Sequence, residues 1–439
     1  MSRLYRPEHL DLSAVPKRFH EAILWLITTI IERRNRNRCL RKGFVPIARK
    51  RMAQVLGSRN VSKVLKYAQD MGLIESDRQY IVGEKPIGYR IGVRYRQSEV
   101  VRVQAKRERI KKAIRPQLKR KSIADGLIAN QLSRDLRRLT IDDIDPTTLR
   151  DLAEQSKSEW ENPFACYLMA TDQIRDKHFW WKRDDYGRFH SNLTNLKSEL
   201  RHFLNIEGER LVGVDINNSQ PLCLGVLLKL ISGESELAEQ SELKDMITHY
   251  YDPSSMSPSF SLPASLSFSS IMKCTIDVSS SDIERWCKLV ASGKVYEGLA
   301  TEMGKRHTRK SAKAEWNLFA YGKPDVRRPL YKVFQREFPS ILRFIDDVKR
   351  NNLLETKKHR LLAHSLQLVE SLIVIDTICT RIKRESPDIR LLTIHDSILT
   401  TPKNLPVVEK EIRRAFGELE MEVGLKREWY FPDRVRKVA

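Results

Sequence analysis

The stretch LVGVDINNSQP, residues 211–221, carries an aspartate at the end of a short apolar run. Residues 211–214 have the composition of a buried strand, and the polar residues after Asp215 lead into a predicted helix. Pro221 would lie in the first turn of that helix, a favoured place for proline. The carboxylate of Asp215 is therefore predicted to lie at a strand end and to face a cleft. An ordinary aspartate in a turn is the alternative interpretation.

A second aspartate lies in the stretch LLTIHDSILT, residues 391–400. The apolar runs on both sides of His395, Asp396 and Ser397 predict a hairpin with Asp396 at its tip. Polar groups between two apolar strands cost about 2–7 kcal/mol unless partners satisfy them. Metal ions shared by Asp215 and Asp396 would offset that cost.

Between the two aspartates, the stretch RKSAKAEWNLFAYG, residues 309–322, predicts a helix that ends at its glycine. Arg309, Lys313, Asn317 and Tyr321 recur at every fourth position, so they share one face of that helix. Two cations and an aromatic ring on one face can bind the phosphates of a nucleotide and stack on its base. A solvated helix face is the alternative interpretation of this stripe.

The composition favours a polyanionic partner. The chain has 439 residues, with 79 Lys and Arg against 56 Asp and Glu, and a formal net charge of +23. This length predicts two or three globular units, and this charge favours nucleic acid, whose binding should weaken steeply with salt. The six cysteines are scattered without a CxxC pair, which argues against a zinc site or a disulfide framework.

The patterning also argues against a membrane protein. No apolar run reaches the roughly 18 residues of a membrane-spanning helix, so we expect no such helix. The first residues, MSRLYRPEHLDL, lack the apolar core of a signal peptide. We therefore expect a soluble, intracellular protein of the cytoplasm that associates with DNA and binds no membrane.

Residues 1–96 resemble a winged helix-turn-helix DNA-binding domain. Three predicted helices, at residues 19–31, 46–56 and 61–71, precede strand-like runs at 80–82 and 89–93. Gly57 is predicted to end the second helix and Ser58 to cap the third. Residues suited to phosphates and base edges lie on the outer face of the third helix and in the wing: Arg59, Asn60, Lys63, Lys66 and Lys85. A protein–protein adaptor of the same fold is the alternative.

Residues 97–182 predict a basic helical linker or thumb-like region. Its very basic start, residues 97–121, indicates either a solvated helix or a helix that lies along duplex phosphates. Further along the chain, the Ser-rich stretch at residues 253–281 predicts a flexible loop.

The spacing Arg309-x3-Lys313-x3-Asn317-x3-Tyr321 resembles motif B of family A DNA polymerases and of the related single-subunit phage-type RNA polymerases. Asp215 then falls at the motif A aspartate, and His395 with Asp396 at the motif C pair. Three further stretches resemble conserved segments of the family and occur in the same order along the chain. They are residues 187–196 with Gly187 and Arg188 before motif A, residues 334–341 after motif B, and Gln367 with Glu370 before motif C. The resemblance covers residues 183–432.

This resemblance implies an α+β right-hand fold with an antiparallel palm sheet, helical fingers and a short helical thumb. Residues 183–439 would form the palm and fingers. Asp215, Asp396 and the carbonyl of Ile216 would bind two Mg²⁺ ions, with Mn²⁺ as a second candidate metal.

The resemblance also implies roles for the other motif residues. Arg309 and Lys313 would hold the triphosphate, and Lys313 would also protonate the leaving pyrophosphate as a catalytic residue. The remaining residues of the nucleotide site would be Asn317, Tyr321 and Gly322, and those at the primer and duplex would be Arg188, Gln367 and His395.

Departures from the family leave the product open. DNA polymerases of the family carry a Glu shortly after the motif A aspartate that excludes the 2′-hydroxyl, yet no acidic residue follows Asp215 until Glu234. The His-Asp-Ser form at residues 395–397 is that of RNA polymerases, whereas residues 187–196 and the compact spacing of the two aspartates favour DNA polymerases.

The motifs predict a template-directed nucleotidyltransferase, and the favoured interpretation is a minimal family A-like DNA polymerase without proofreading. Its partners would be a DNA template, a primer and nucleoside triphosphates, and a winged helix beside a polymerase suggests replication of a plasmid or mobile element. An RNA-synthesising primase or single-subunit RNA polymerase is one alternative. A DNA-binding replication initiator with an inactive palm is another. The sequence identifies no protein partner.

Overall fold

A computed structural model describes residues 2–36, 40, 43–114, 126–156, 162–232, 278–350 and 358–431. The described chain mixes helices with small sheets, and every strand pair in these ranges is antiparallel. The predicted class, α+β, is confirmed. The predicted loop at residues 253–281 lies outside the described residues except for residues 278–281, and residues 115–121 of the basic run also lie outside them.

The first elements along the chain form two small sheets and four helices. They are β1 (Arg3–Pro7), α1 (Lys17–Arg36), β2 (Val45–Pro46), α2 (Arg49–Leu56), α3 (Ser58–Asp70), β3 (Ile74–Ser76), β4 (Gly88–Ile91), β5 (Val100–Gln104) and α4 (Glu108–Ile114). Strands β2, β4 and β3 pair in that order, and β1 pairs with β5. The apolar sides of α1 and α3 pack into one core because Ile23, Ile27, Val61 and Val64 are fully buried.

Two local predictions in this region are wrong. The strand that pairs with β4 is β3, whereas residues 80–82 lie in the following turn with exposed side chains and a single bridge from Ile81 to Lys85. Those apolar side chains have no core beside them to pack against. Gly57 ends α2 as predicted, with φ 85°, but it also occupies the position before α3, so Ser58 is the first helical residue and not its cap.

The middle of the chain adds short strands and helices. They are α5 (Gly126–Arg138), β6 (Leu139–Ile141), α6 (Pro146–Gln155), α7 (Pro163–Arg175), β7 (Trp181–Arg183), β8 (Phe189–Ser191), α8 (Ser198–Arg201), β9 (Leu204–Ile206) and β10 (Glu209–Arg210). Asp172 in α7 is buried and accepts hydrogen bonds from Tyr5 at 3.0 Å and from Arg102 at 2.7 and 3.0 Å. The hydrogen bond from Tyr5 ties β1 to α7 across the predicted boundary at residue 96, and the ion pair with Arg102 ties β5 to the same helix. The division into three domains stays a prediction.

The last part of the chain contains the largest sheet. Its elements are β11 (Val212–Ile216), α9 (Ser219–Ser232), α10 (Ser280–Ala291), α11 (Val295–Met303), α12 (Arg309–Tyr321), α13 (Pro329–Glu337), α14 (Pro339–Arg350), α15 (Leu361–Ser371), α16 (Thr380–Glu385), β12 (Leu392–Ile394), β13 (Ser397–Thr400), α17 (Leu405–Gly417) and β14 (Leu425–Trp429). The sheet order is β12-β13-β11-β14. Helices α10 to α14 share an aromatic core in which Trp286 stacks on Trp316 with ring centroids 5.7 Å apart.

One helix corrects the expectation about apolar runs. Residues Leu361–Glu385 form a continuous helix, π-helical at Leu372–Cys379, with a mean hydropathy of 1.5 that would allow it to cross a membrane. However, 83% of its apolar window is buried inside the protein. Leu366, Ile373 and Ile378 are fully buried, so this helix forms part of the core below the sheet.

Candidate active site

The two motif aspartates lie side by side on neighbouring strands. Asp215 in β11 pairs with Ser397 in β13, and the N–H of Ile216 donates to the carbonyl of Asp396 at 3.3 Å. His395 and Asp396 form the two-residue turn between β12 and β13, and His395 has a φ of 55°. The predicted hairpin is therefore confirmed, and Asp215 is the penultimate residue of its strand.

Burial and neighbouring charge act on Asp215 together. Burial, followed by the charges of Asp396 and Glu428, raises the pKa of Asp215 to about 7, while Lys426 and Lys313 act in the opposite direction. Glu428 and Lys426 come from β14, where Lys426 pairs with Asp215 across the strands. Sequence reasoning missed both residues because a strand near the end of the chain brings them to the site.

Helix α12 presents the predicted polar face. Arg309, Lys313, Asn317 and Tyr321 are exposed, whereas the opposite side of the helix packs into the aromatic core through Ala312, Trp316, Phe319 and Ala320. Thr308 and Ser311 form a capping box at the start, and the N–H of Gly322 closes the last turn. Because Lys313 lowers the pKa of Asp215, this face lies on the side of the aspartates.

Helix α11 supplies two residues that the sequence did not indicate. Nε of Arg309 lies 2.9 Å from Oε1 of Glu297. The guanidinium carbon of Arg309 and Nζ of Lys313 lie 5.9 and 6.0 Å from the ring centroid of Tyr296. Tyr296 is buried, and burial raises the pKa of its hydroxyl, with Asp396 and Tyr321 adding to the shift. Tyr296 therefore lies within electrostatic range of both Arg309 on the helix face and Asp396 in the sheet.

A buried network connects Asp396 to Arg188. The hydroxyl of Ser219 donates to Oδ2 of Asp396 at 2.6 Å, and its oxygen lies 3.3 Å from Oε2 of Glu370. Glu370 is buried and also accepts from Gln220 at 2.8 Å. Arg188 donates to the same Glu370 from Nε at 3.0 Å and from Nη2 at 2.6 Å. Burial is the main reason that the pKa of Glu370 is raised, and Arg188 counteracts it. The network therefore holds the Asp396 carboxylate in place through Ser219.

Gln367 and His395 are placed at two different edges of the site. Gln367 donates to the hydroxyl of Tyr321 at 2.7 Å, which connects α15 to the end of the α12 face. Burial, with the charges of Arg188 and His190, lowers the pKa of His395 to about 4, so its ring is neutral at pH 7. Nδ1 of His395 is buried and has no hydrogen-bond partner among the described residues.

The donor set at the aspartates suits a hard divalent cation. Among the described residues no group of three or more His, Cys, Asp or Glu side chains could hold a metal ion. Asp215 and Asp396 nevertheless supply two carboxylates, and oxygen ligands are those that Mg²⁺ and Mn²⁺ prefer. Burial first, and then the negative charges of Asp396 and Glu428, raise the pKa of Asp215. A cation would relieve this repulsion, so the residues fit the metal that the sequence predicts.

The predicted duplex-binding residues form a separate surface on α3 and the turn before β4. Arg59, Lys63 and Lys66 are exposed. Asn60 donates its side-chain amide to the carbonyl of Leu56 at 2.9 Å. Lys85 donates to Gln79 at 2.8 Å and lies 3.1 Å from Asp77, so its charge is partly balanced within the turn.

The chain was compared with protein families, curated proteins and solved structures. No protein-family model and no curated protein matches the chain. Among solved structures, the chain is similar to the POL domain of Pol1 from M. smegmatis in complex with a DNA primer-template and dNTP, with 15% identity and a TM-score of 0.30. The alignment covers 66% of this chain and 56% of that one. A similarity this weak carries no argument about fold or activity.

Proposed function

We propose that the chain is a template-directed nucleotidyltransferase with two divalent metal ions, and that it is a minimal family A-like DNA polymerase without proofreading. The observation that carries the proposal is the pairing of β11 with β13, which sets Asp215 beside Asp396. Lys313 on α12 is close enough to lower the pKa of Asp215. Paired carboxylates that face phosphate-binding cations are what phosphoryl transfer requires.

Each residue of the site has a role in this reaction. Asp215, Asp396 and the Ile216 carbonyl would hold the divalent ions, which would supply Lewis-acid stabilisation of the transferring phosphate and lower the pKa of the primer 3′-hydroxyl. Arg309 and Lys313 bind the triphosphate, and Lys313 donates a proton to the leaving pyrophosphate.

The remaining residues around the site position the nucleotide and the nucleic acid. Asn317, Tyr321 and Gly322 complete the nucleotide site, with the Tyr321 ring against the base pair. Arg188, Gln367 and His395 contact the primer and duplex. Gln367 already holds the Tyr321 hydroxyl at 2.7 Å, so the duplex and nucleotide contacts are coupled in this arrangement.

The basic surface on α3 would direct this activity to DNA. Arg59, Lys63 and Lys66 are exposed in a chain with a net charge of +23, and such residues bind phosphates. We interpret residues 1–96 as a winged helix that recognises a duplex, and the whole as a replication enzyme of a plasmid or mobile element that acts on intracellular DNA.

RNA synthesis is the second candidate. Ser397 follows Asp396, and its hydroxyl is buried without a hydrogen-bond partner among the described residues. Gln220, five residues after Asp215, donates its side-chain amide to Glu370 at 2.8 Å, and no acidic residue follows Asp215 until Glu234. These features favour a site that tolerates ribose.

Primer extension tests the proposal. A labelled primer on a DNA template is incubated with Mg²⁺ and either deoxynucleotides or ribonucleotides, for the wild-type chain and for Asp396→Ala. We expect extension that the substitution abolishes, and the preferred sugar decides between DNA and RNA. No product with either sugar, with or without a primer, alongside tight and salt-sensitive duplex binding, would instead support an initiator with an inactive palm.

A further inference from the structure

An acidic side chain already contacts the proposed triphosphate site. Oε1 of Glu297 lies 2.9 Å from Nε of Arg309, and the two side chains are 44% and 57% exposed. The second carboxylate oxygen, Oε2, is buried and has no hydrogen-bond partner among the described residues. The contact is therefore made through one oxygen of Glu297, in the position where a phosphate oxygen would bind Arg309.

The chain segment that carries Arg309 is strongly cationic. Residues 304–313 contain five basic residues and no acidic one: Lys305, Arg306, Arg309, Lys310 and Lys313. Arg309 is also the first residue of the 13-residue helix α12, whose N-terminal end carries a partial positive charge. Such a region attracts any anion, and Glu297 is the anion that the fold itself supplies.

The ion pair between Glu297 and Arg309 can break at little cost in free energy. Exposed ion pairs contribute little net free energy because water and salt screen them. Glu297 lies in the first turn of α11, whose Val295 and Leu299 are fully buried, so the helix backbone is fixed while the carboxylate can turn away. The buried ring of Tyr296 supports both Arg309 and Lys313, which keeps the two cations in place when Glu297 leaves.

We propose that Glu297 is an autoinhibitory residue that occupies the phosphate position on Arg309 and has to be displaced by the incoming nucleotide. This inference rests on the proposed function. A phosphate ligand must outcompete this carboxylate for Arg309, so its apparent dissociation constant rises by the reciprocal of the fraction of molecules in which Arg309 is free. Glu297 therefore weakens the binding of triphosphates and diphosphates alike until it is displaced.

Glu297→Gln tests this inference because it keeps the size of the side chain and removes its charge. The dissociation constants of a deoxynucleoside triphosphate and of the matching diphosphate are measured by equilibrium titration with Mg²⁺. We expect the variant to bind both the triphosphate and the diphosphate about three- to tenfold more tightly. In primer extension, KM should fall while kcat changes less than about twofold.

A matched control and a second background separate this effect from general electrostatics. Glu302 lies on the same helix and forms an ion pair with Arg336, so Glu302→Gln should change neither constant by more than about 1.5-fold. In an Arg309→Ala background, Glu297→Gln should give no gain, because the competition requires Arg309.

Two results would overturn the inference in different ways. Unchanged triphosphate and diphosphate affinities in Glu297→Gln, with normal extension by the wild type, would refute the role of Glu297 and leave the proposed function intact. Absence of both nucleotide binding and extension in the wild type would refute the proposed function, and the role of Glu297 with it.

Discussion

Asp215 and Asp396 are coupled through the backbone of the sheet, since the N–H of the residue after Asp215 donates to the carbonyl of Asp396 at 3.3 Å. A strand pair fixes the separation of two carboxylates more firmly than two loops could. The cost of this arrangement is electrostatic, because Asp396 contributes to the raised pKa of Asp215. The metal-free protein should therefore be less stable wherever both carboxylates are charged.

The first prediction concerns this pH dependence. The pKa of Asp215 is about 7 in the folded protein against an ordinary value of 3.8. The folded state then binds more protons than the unfolded state between pH 4 and 7, so this group lowers the free energy of unfolding as pH rises through that interval. Asp215→Asn should remove this contribution, and its stability advantage over the wild type should be small at pH 4 and largest above pH 7.

Urea unfolding in EDTA at several pH values measures this difference. Asp388→Asn, at an exposed position, is the matched control and should follow the wild type at every pH. An advantage of Asp215→Asn that does not grow with pH would contradict the raised pKa of Asp215 in the folded protein.

The second prediction separates residues on one helix. Arg309→Ala should raise KM for nucleotides at least about tenfold, and Lys313→Ala should lower kcat by about 10²–10³, because each removes a charged hydrogen-bond or proton donor at the transferring phosphate. Lys310→Ala changes an equally exposed lysine that lies outside the i,i+4 stripe, and should alter either constant less than about twofold. Steady-state extension kinetics give both constants. Equal effects of all three substitutions would indicate general charge attraction in place of a defined site.

The third prediction concerns the buried ion pair that holds α5 beside strand β12. Nζ of Lys383 lies 2.5 Å from Asp135, and both side chains are only 3% exposed. Asp135 also accepts the N–H of Leu391 at 3.0 Å, next to strand β12. Asp135→Ala leaves a buried cation unpaired and should cost about 3–5 kcal/mol of unfolding free energy.

Arg138, on the same helix, forms a surface ion pair with Glu207 and provides the comparison, because the two side chains are 55% and 44% exposed. Arg138→Ala should cost less than about 1 kcal/mol. Denaturant unfolding measures the free energy of unfolding of both variants. Similar losses for Asp135→Ala and Arg138→Ala would contradict the claim that burial makes the Asp135 ion pair more important for stability.

The fourth prediction concerns the α3 surface. Combined substitution of Arg59, Lys63 and Lys66 by Ala should weaken duplex binding and reduce the slope of log K against log salt by about 0.9 for each phosphate that the variant no longer neutralises. Lys85→Ala should have a smaller effect because Gln79 and Asp77 already engage its ammonium group. Fluorescence anisotropy at several salt concentrations measures both. An unchanged slope in the triple variant would support the protein–protein adaptor.

The sequence predicted the parts of the site that depend on local patterns. The hairpin around Asp396 follows from two apolar runs, and the polar face of α12 follows from a four-residue repeat whose other side is buried. The helix end at Gly322 follows from residue chemistry in the same way. These features need no knowledge of distant contacts.

The features that the sequence missed depend on tertiary contacts. Glu297 and Lys426 have ordinary local contexts, and they matter because α11 and β14 bring them to Arg309 and Asp215. The strand β3 is only three residues long, and the more apolar residues 80–82 drew the prediction away from it. Ser58 does not have its predicted capping role because a single glycine serves as both helix end and helix start.

Single-turnover primer extension by Asp215→Asn, Asp396→Asn and the double variant tests the central claim most directly. These substitutions keep side-chain size while removing the metal-binding charge, so the protein should stay folded. We expect each single variant to extend the primer at least about 10³-fold more slowly than the wild type, with little further loss in the double variant because the two carboxylates act as a unit. Extension at near wild-type rates in either single variant would contradict the assignment of Asp215 and Asp396 as the metal-binding pair.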